Sequence, residues 1–233
     1  MIEYCNNGVK LFFQTSDKVF SPNAIDAGTI SMLSKVNFVS TDKVLDLGCG
    51  YGVVGIYAAQ FICPSQITMS DISDDALKLT KENIVLNKVN GINVVKSYGL
   101  DNIADSEFTL ILANPPYHTD FSVPKNYIEK GYKKLAVGGK MYLVTKRKAW
   151  YKNKLIKVFG GTKIKEINGY YVFESEKKEY RKQSHKKSAS HMSKKLARKS
   201  KKRVSLAEDD HSGLTKLVVR RNGNHVSGRK EPP

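Results

Sequence analysis

Apolar and polar positions change period repeatedly along this chain, from two to about 3.6 and back. KVLDLG, beginning at Lys43, is a short and nearly continuous apolar run that ends in glycine, which predicts a strand buried on both faces. VVGIYAAQFI (53–62) predicts an apolar helix and QITMSDI (66–72) a second strand. DDALKLTKENIVLNKV (74–89) places Ala76, Leu77, Leu79, Ile84, Leu86 and Val89 against Lys and Glu, an amphipathic helix with Ser73 or Asp74 as its cap. GINVVKS (91–97) and FTLILA (108–113) predict strands three and four. KNYIEKGYKKLAV (125–137) predicts a helix stopped by Gly138-Gly139, and KMYLVTK (140–146) a fifth strand. WYKNKLIKVFG (150–160) is a further helix, after which TKIKEING and YYVFESE read as a closing strand pair. Upstream, residues 22–36 carry Ile25, Ile30, Leu33 and Val36 at helical spacing, with a gap in the stripe at Gly28.

Strands that alternate with helices imply an α/β fold with a parallel sheet covered on both faces. The last two strands are joined only by Asn168-Gly169, too short for a crossover, so they must be antiparallel. In open sheets of this kind ligands sit outside the carboxyl ends of the strands. Candidate chemistry does follow the strand ends.

After the first strand comes LDLGCGYGVVG. Gly48, Gly50, Gly52 and Gly55 permit tight turns and close approach of backbone to ligand. Gly50-x-Gly52-x-x-Gly55 formally matches a dinucleotide fingerprint, with Asp71 lying 19 residues after Gly52, so a nicotinamide oxidoreductase is a rival reading. Asp46 stands two residues before the first glycine. A negative charge there disfavours a pyrophosphate and suits a cationic, amine-bearing ligand such as S-adenosylmethionine. Asp71, at the end of the second strand, suits ribose hydroxyls, because a carboxylate accepts from both. Ile72 offers a face to an adenine, and Ser97 and Tyr98 close the third strand near its edge; a plain loop accounts for that last pair equally well. Cys49 reads as a buried filler thiol.

The fourth strand ends in ANPPYHTDF. An Asn114 side-chain carbonyl beside a backbone carbonyl makes two acceptors for one –NH₂ group, and Pro115 and Pro116 stiffen the loop that carries them. Tyr117 supplies a ring to stack on a planar molecule. His118 is a candidate substrate contact or proton acceptor, or else an orienting hydrogen-bond partner. Together these residues read as a clamp for a flat group bearing an exocyclic or amide nitrogen, suited to transfer of a methyl group from sulfur to nitrogen.

Charge divides the chain. Residues 1–176 carry 21 Lys and Arg against 17 Asp and Glu, whereas residues 177–233 carry 18 against 5, within a net charge of +17 over 233 residues. This predicts a nearly neutral globular domain, 1–176, and a flexible basic extension, 177–233, and it points to a polyanionic partner. The extension reads either as a solubilising tail or as an arm for RNA phosphates. HMSKKLARKSKK (191–202) suits a basic helix formed on binding, and GLTKLVVRRNG (213–223) a short hairpin or an added strand. Cys5, Cys49 and Cys63 lack metal-ligand spacing and read as reduced thiols of a cytoplasmic protein; no metal is expected. The N-terminus has no apolar signal core, and no run is long enough to span a membrane.

DLGCGYG, Asp71 and NPPYH, in this order, resemble the class I S-adenosylmethionine-dependent methyltransferases. NPPYHTDFSV and the upstream VFSPNAIDAGT resemble, within them, the ribosomal RNA guanine-N2 methyltransferase group (RsmC-like, "methyltransferase small" domain), over residues 10–175. The resemblance implies a Rossmann-like seven-stranded sheet in the order 3-2-1-4-5-7-6, with strand 7 antiparallel. It implies cofactor contacts at Asp46, Gly48, Gly50 and Asp71, with Asn114, Pro115 and Tyr117 holding the target amine and base. It places Phe20, Ser21 and Thr29 near the cofactor's methionine end, with Phe20 and Ser21 as candidate substrate contacts alongside Pro116 and His118. The implied partner is RNA, ribosomal or within a small-subunit particle. Larger members carry an extra N-terminal domain, whereas about 40 residues precede the first predicted strand here, so a member without that module is expected. Adenine-N6 and protein glutamine-N5 methylation use similar clamps, and a catalytically inactive RNA-binding module is the remaining alternative.

Overall fold

Three neighbouring strands hold the centre of the molecule: β3 (Val44–Leu47), β4 (Ile67–Asp71) and β6 (Phe108–Ala113). The computed structural model describes residues 1–6, 8–116 and 120–179. β5 (Asn93–Lys96) and β7 (Leu135–Thr145) extend the parallel set, and β8 (Lys163–Ile167) and β9 (Tyr170–Glu176) complete it. The order is β5-β4-β3-β6-β7-β9-β8, with β9 antiparallel to both of its neighbours. This is the expected α/β arrangement. The Asn168-Gly169 link only allows the chain to fold back on itself, so β8 and β9 are antiparallel, and it is β9 that inserts beside β7.

Successive residues of the central strands serve opposite faces. Val44, Met69 and Leu112 join one core with α1 (Ala27–Leu33), α2 (Val53–Ala58) and α3 (Asp74–Leu86). Leu45, Leu47 and Ile111 join the other with α4 (Ser122–Lys134) and α5 (Lys148–Phe159). Every residue of β3 is buried, which explains its unbroken apolar run and makes the one charged member, Asp46, conspicuous. Ser73 caps α3, accepting from the Ala76 N–H at 3.3 Å. Among the described residues no helix is long and apolar enough to cross a membrane.

Helices α1 and α2 are shorter than their apolar stripes, 7 and 6 residues. The larger departure concerns Gly138-Gly139, which does not stop a helix. Helix α4 ends at Lys134, Leu135 is already extended, and β7 begins there, opposite Phe108. The glycines lie inside β7, where the register against β6 jumps: Leu135 pairs with Phe108, but Lys140 pairs with Leu110. Gly138 takes a φ of 82°, and a Cβ at Gly139 would lie 2.7 Å from the Phe108 carbonyl oxygen and 2.9 Å from that of Ala136. The pair lets the strand bulge and resume its ladder.

An N-terminal hairpin, β1 (Ile2–Asn6) and β2 (Val9–Phe13), was not legible from the apolar pattern, although Asn7-Gly8 between two β-prone runs is a hairpin signal. Its exposed edge is covered by side chains. Asn87 accepts from Phe12 N–H at 3.0 Å and donates to the Phe12 carbonyl at 2.7 Å. Asn83 does the same for Gln14, at 2.7 and 3.0 Å. Two amides one helical turn apart thus pair with alternate residues of the edge, as a neighbouring strand would. The extension from residue 180 onward, with the segments 191–202 and 213–223, lies outside the described residues.

Gly139→Ala is expected to lower stability by about 1–3 kcal/mol, because rigid carbonyls crowd the new methyl. Gly161→Ala, with nothing within 4 Å of the added Cβ, is expected to change it by less than about 0.5 kcal/mol. Urea melts of the two variants beside the parent measure the difference.

Candidate active site

The loop after β3 is fastened on every side. The N–H groups of Gly48 and Cys49 both donate to the Ser70 carbonyl, at 2.8 and 2.9 Å. Gly50 N–H donates to Asp71 Oδ2 at 2.9 Å, and Thr80 Oγ1 donates to the Gly50 carbonyl at 2.8 Å. Gly50 and Gly52 take φ values of 56° and 100°, which residues with a Cβ adopt only at a cost. Gly55 is required for a different reason: a Cβ there would lie 2.5 Å from the Met69 sulfur, so α2 packs tightly on β4.

Asp46 lies beneath this loop with 2% of its surface exposed, and Gly55 N–H donates to its Oδ2 at 3.1 Å. Burial pushes its pKa up to about 7; the Gly55 hydrogen bond opposes the rise and the nearby Asp71 charge adds to it. Asp71 holds two backbone groups, Gly50 N–H and, at 3.0 Å, Ser73 N–H. Cys49 is buried, and desolvation, with Asp46 and Asp71 close by, pushes its thiol pKa well above the ordinary value.

A second construction stands at the end of β6. Asn114 Nδ2 donates to Asp26 Oδ2 at 2.8 Å and to Thr29 Oγ1 at 3.0 Å. Asp26 Oδ2 also accepts Thr29 N–H at 3.0 Å, capping α1, and Asp26 Oδ1 accepts from the Tyr170 hydroxyl at 3.3 Å. The gap at Gly28 in the α1 stripe now has a cause. A Cβ there would lie 2.7 Å from Asp26 Oδ2 and 2.8 Å from the Tyr170 ring. With both amide protons of Asn114 directed at Asp26 and Thr29, its carbonyl oxygen is fixed on the other side of the amide plane.

Both constructions line one cavity of about 430 Å³. Asp46, Gly48, Gly50, Asp71, Ile72, Ser97 and Tyr98 form part of its wall, and Phe20, Ser21, Thr29, Asn114 and Pro116 another part. Pro115 is buried and does not line it; Tyr117 and His118 lie outside the described residues. The sequence did not mark several other lining residues, among them Asp26, Tyr51 and Tyr127. For Asp26 a signal existed, an acid three residues before a threonine at a helix start. Tyr51 sat inside the glycine motif without a role of its own, and Tyr127 among ordinary positions of an amphipathic helix. Burial raises the Tyr51 pKa to about 12, and its hydroxyl donates to the Ser21 carbonyl at 3.4 Å. Ser21 takes a φ of 55°, unusual for serine, and donates from Oγ to the Ala24 carbonyl at 2.7 Å. Asp26, Asp46 and Asp71 make the charged part of an otherwise largely apolar cavity wall mainly acidic, with Lys18 the one Lys or Arg among its described lining residues. Such a wall fits an ammonium or sulfonium ligand and repels a phosphate.

Comparison with known proteins places this geometry in context. The model of the methyltransferase small domain matches residues 10–174. A ribosomal RNA small subunit methyltransferase C of Pseudomonas putida is 30% identical over 162 residues, covering 67% of this chain and 48% of that protein. Its counterpart in Mannheimia succiniciproducens is 34% identical over 150 residues, covering 63% and 44%. The chain thus spans about half the length of the curated relatives it matches. A T. thermophilus 16S rRNA N2 G1207 methyltransferase, solved in complex with AdoMet and guanosine, shares the fold with a TM-score of 0.69 at 20% identity, covering 76% of this chain and 50% of that one. With the matched span running from the N-terminal hairpin to β9 and taking in both halves of the cavity, the chain belongs to the methyltransferase small domain family.

Proposed function

We propose that this chain transfers a methyl group from S-adenosylmethionine to an exocyclic base amine of RNA, guanine-N2 of ribosomal RNA. One observation carries the reading: the acidic, glycine-lined wall and the braced amide of Asn114 face a single cavity. The names of the relatives support the RNA substrate, and the guanosine held by the T. thermophilus protein supports the base.

The donor set fits the cofactor. A volume of about 430 Å³ is in the range of small-molecule sites. Asp71 keeps acceptor capacity for ribose hydroxyls beyond its two backbone partners. Ile72 and Tyr98 are exposed at 59% and 49%, and present flat or apolar surface to an adenine. Asp46 answers the ligand's positive end. Bound there, the cofactor supplies a methyl group made electrophilic by its sulfonium. The chain's own part is positioning: the Asn114 carbonyl and the backbone beside Pro115 accept from the amine and orient its lone pair, and Tyr117 stacks on the base. The amine's surplus proton goes to solvent, or to His118. Rate enhancement then comes from orientation and preorganised dipoles.

Asn114→Ala is expected to cut transfer from labelled cofactor to RNA by at least about 100-fold while leaving S-adenosylhomocysteine affinity within about three-fold. Unchanged transfer would sink the clamp. Asp71→Ala is expected to do the reverse, weakening S-adenosylhomocysteine by about 10- to 100-fold in calorimetry.

Asp46 carries a pH signature. The unfolded chain releases this proton near pH 4 and the folded one near 7, so the folded state holds more protons between those values. Stability from this group therefore falls as pH rises from about 4 to 7, and the loss is complete above 7. Asp46→Asn is expected to melt progressively higher than the parent between pH 5 and 8, while binding the cofactor more weakly. A pH-independent difference in melting temperature would contradict the assignment.

A further inference from the structure

Beyond β7 the chain turns through Lys146, Arg147 and Lys148, three consecutive exposed cations. Among the described residues none of the three is in an ion pair, although eight other lysines of the body each lie against a carboxylate. They are placed against their own stability interest. Arg147 is the N-cap of α5 and Lys148 its first residue, the end where a cation opposes the helix dipole, and the first turn holds no acid to offset them. Each is held over a ring: Lys146 Nζ lies 4.9 Å from the Tyr170 ring centre, Lys148 Nζ 4.9 Å from that of Tyr171, and the Arg147 guanidinium 5.3 Å from that of Phe121. Phe121 in turn stacks on Trp150, centroids 4.4 Å apart and 17° from parallel. Aromatic contacts of this kind set the position of the charges without neutralising them.

The place of this turn matters as much as its charge. β6 and β7 are parallel neighbours, so Asn114, after the end of β6, and Lys146, after the end of β7, leave the sheet side by side. Contacts join them: Lys146 sits over Tyr170, Tyr170 bonds Asp26, and Asp26 holds Asn114. Phe121, whose ring carries the Arg147 guanidinium, is the N-cap of α4, whose Val123 lines the cavity.

We propose that Lys146, Arg147 and Lys148 form a phosphate-docking strip that seats the RNA strand next to the target base. The inference rests on the RNA-methylating reading above and adds to it how this body, apart from the basic extension, grips its substrate. The strip contacts the backbone of nucleotides flanking the target and reads no sequence. It therefore sets the affinity and register of the strand, while the cavity selects the base.

The test uses the full chain, a short single-stranded RNA and the triple variant Lys146→Ala/Arg147→Ala/Lys148→Ala. Trp150 is the chain's one tryptophan and lies under the strip, so its emission reports docking there directly. RNA is expected to change Trp150 emission in the parent. The variant is expected to bind RNA about ten-fold more weakly at 0.1 M salt and to lose about 2 from the slope of log affinity against log salt, by a similar amount for unrelated sequences. Its KM for RNA should rise with kcat little changed, its S-adenosylhomocysteine affinity should match the parent, and its melting temperature should not fall below the parent's. Equal affinity and slope in parent and variant, with methyl transfer to RNA intact, would overturn the strip and leave the proposed function standing. A parent that neither binds nor methylates RNA would remove both. Variant-sensitive binding to a poly-glutamate peptide with none to RNA would assign the strip to an acidic protein and overturn the proposal.

Discussion

The carboxylate of Asp26 is the constraint on which the working end of this molecule depends. One oxygen takes the Asn114 amide and the Thr29 N–H of α1; the other takes the Tyr170 hydroxyl. Three elements from different parts of the chain are brought to one acid, and the amide between them is left with one orientation. Two prolines stiffen the backbone that carries Asn114, but they do not aim its side chain. Asp26 does. A side chain held by charge-assisted hydrogen bonds loses less freedom when it meets a ligand, and preorganisation of that kind makes a neutral amide useful at a reaction centre.

The opposite wall works by a different principle. Asp46 occupies the middle of a strand that is otherwise wholly apolar, where burial raises the cost of its charge. A hydrophobic residue would suit the fold better. Asp46 meets the Gly55 N–H within α2, and under the proposed function a cationic ligand above it would offset the rest of that cost. The glycine loop is the counterpart: conformations that other residues resist are held by Asp71 and Thr80 and bring backbone close to the cavity. Both walls share one economy, in which the carboxylates hold the scaffold and leave capacity for the ligand.

Most of the sheet was legible because its signals are local. Buried parallel strands are short apolar runs, and the Asn168-Gly169 link settles the sense of the last pair. Gly138-Gly139 misled because a glycine pair after an amphipathic stretch looks like a helix stop; its true cause, the carbonyl of Phe108, lies on a neighbouring strand. The hairpin at the N-terminus was missed because its partners are Asn83 and Asn87, polar residues on a helix that periodicity places outside the core. At the site, Asp46, Asp71 and Asn114 stood out as chemically odd residues at strand ends. Asp26 did not, because a capping acid looks the same whether or not it also serves a distant amide, and Tyr127 looks like any other aromatic on an amphipathic helix.

The bond between Tyr170 and Asp26 joins residues 144 apart in sequence, and that between Asn114 and Asp26 spans 88. Tyr170 opens the final strand, which inserts beside β7 rather than at the sheet's edge. Closing such long loops is the slow part of folding, since their entropy is lost before the contacts form. A growing chain can assemble β3, β4 and the glycine loop early, yet its amide holder is incomplete until β9 has emerged and slotted in. Synthesis itself thus delays the complete holder until β9 has emerged, and a chain cut short before that strand leaves Asp26 without the hydroxyl that braces its second oxygen.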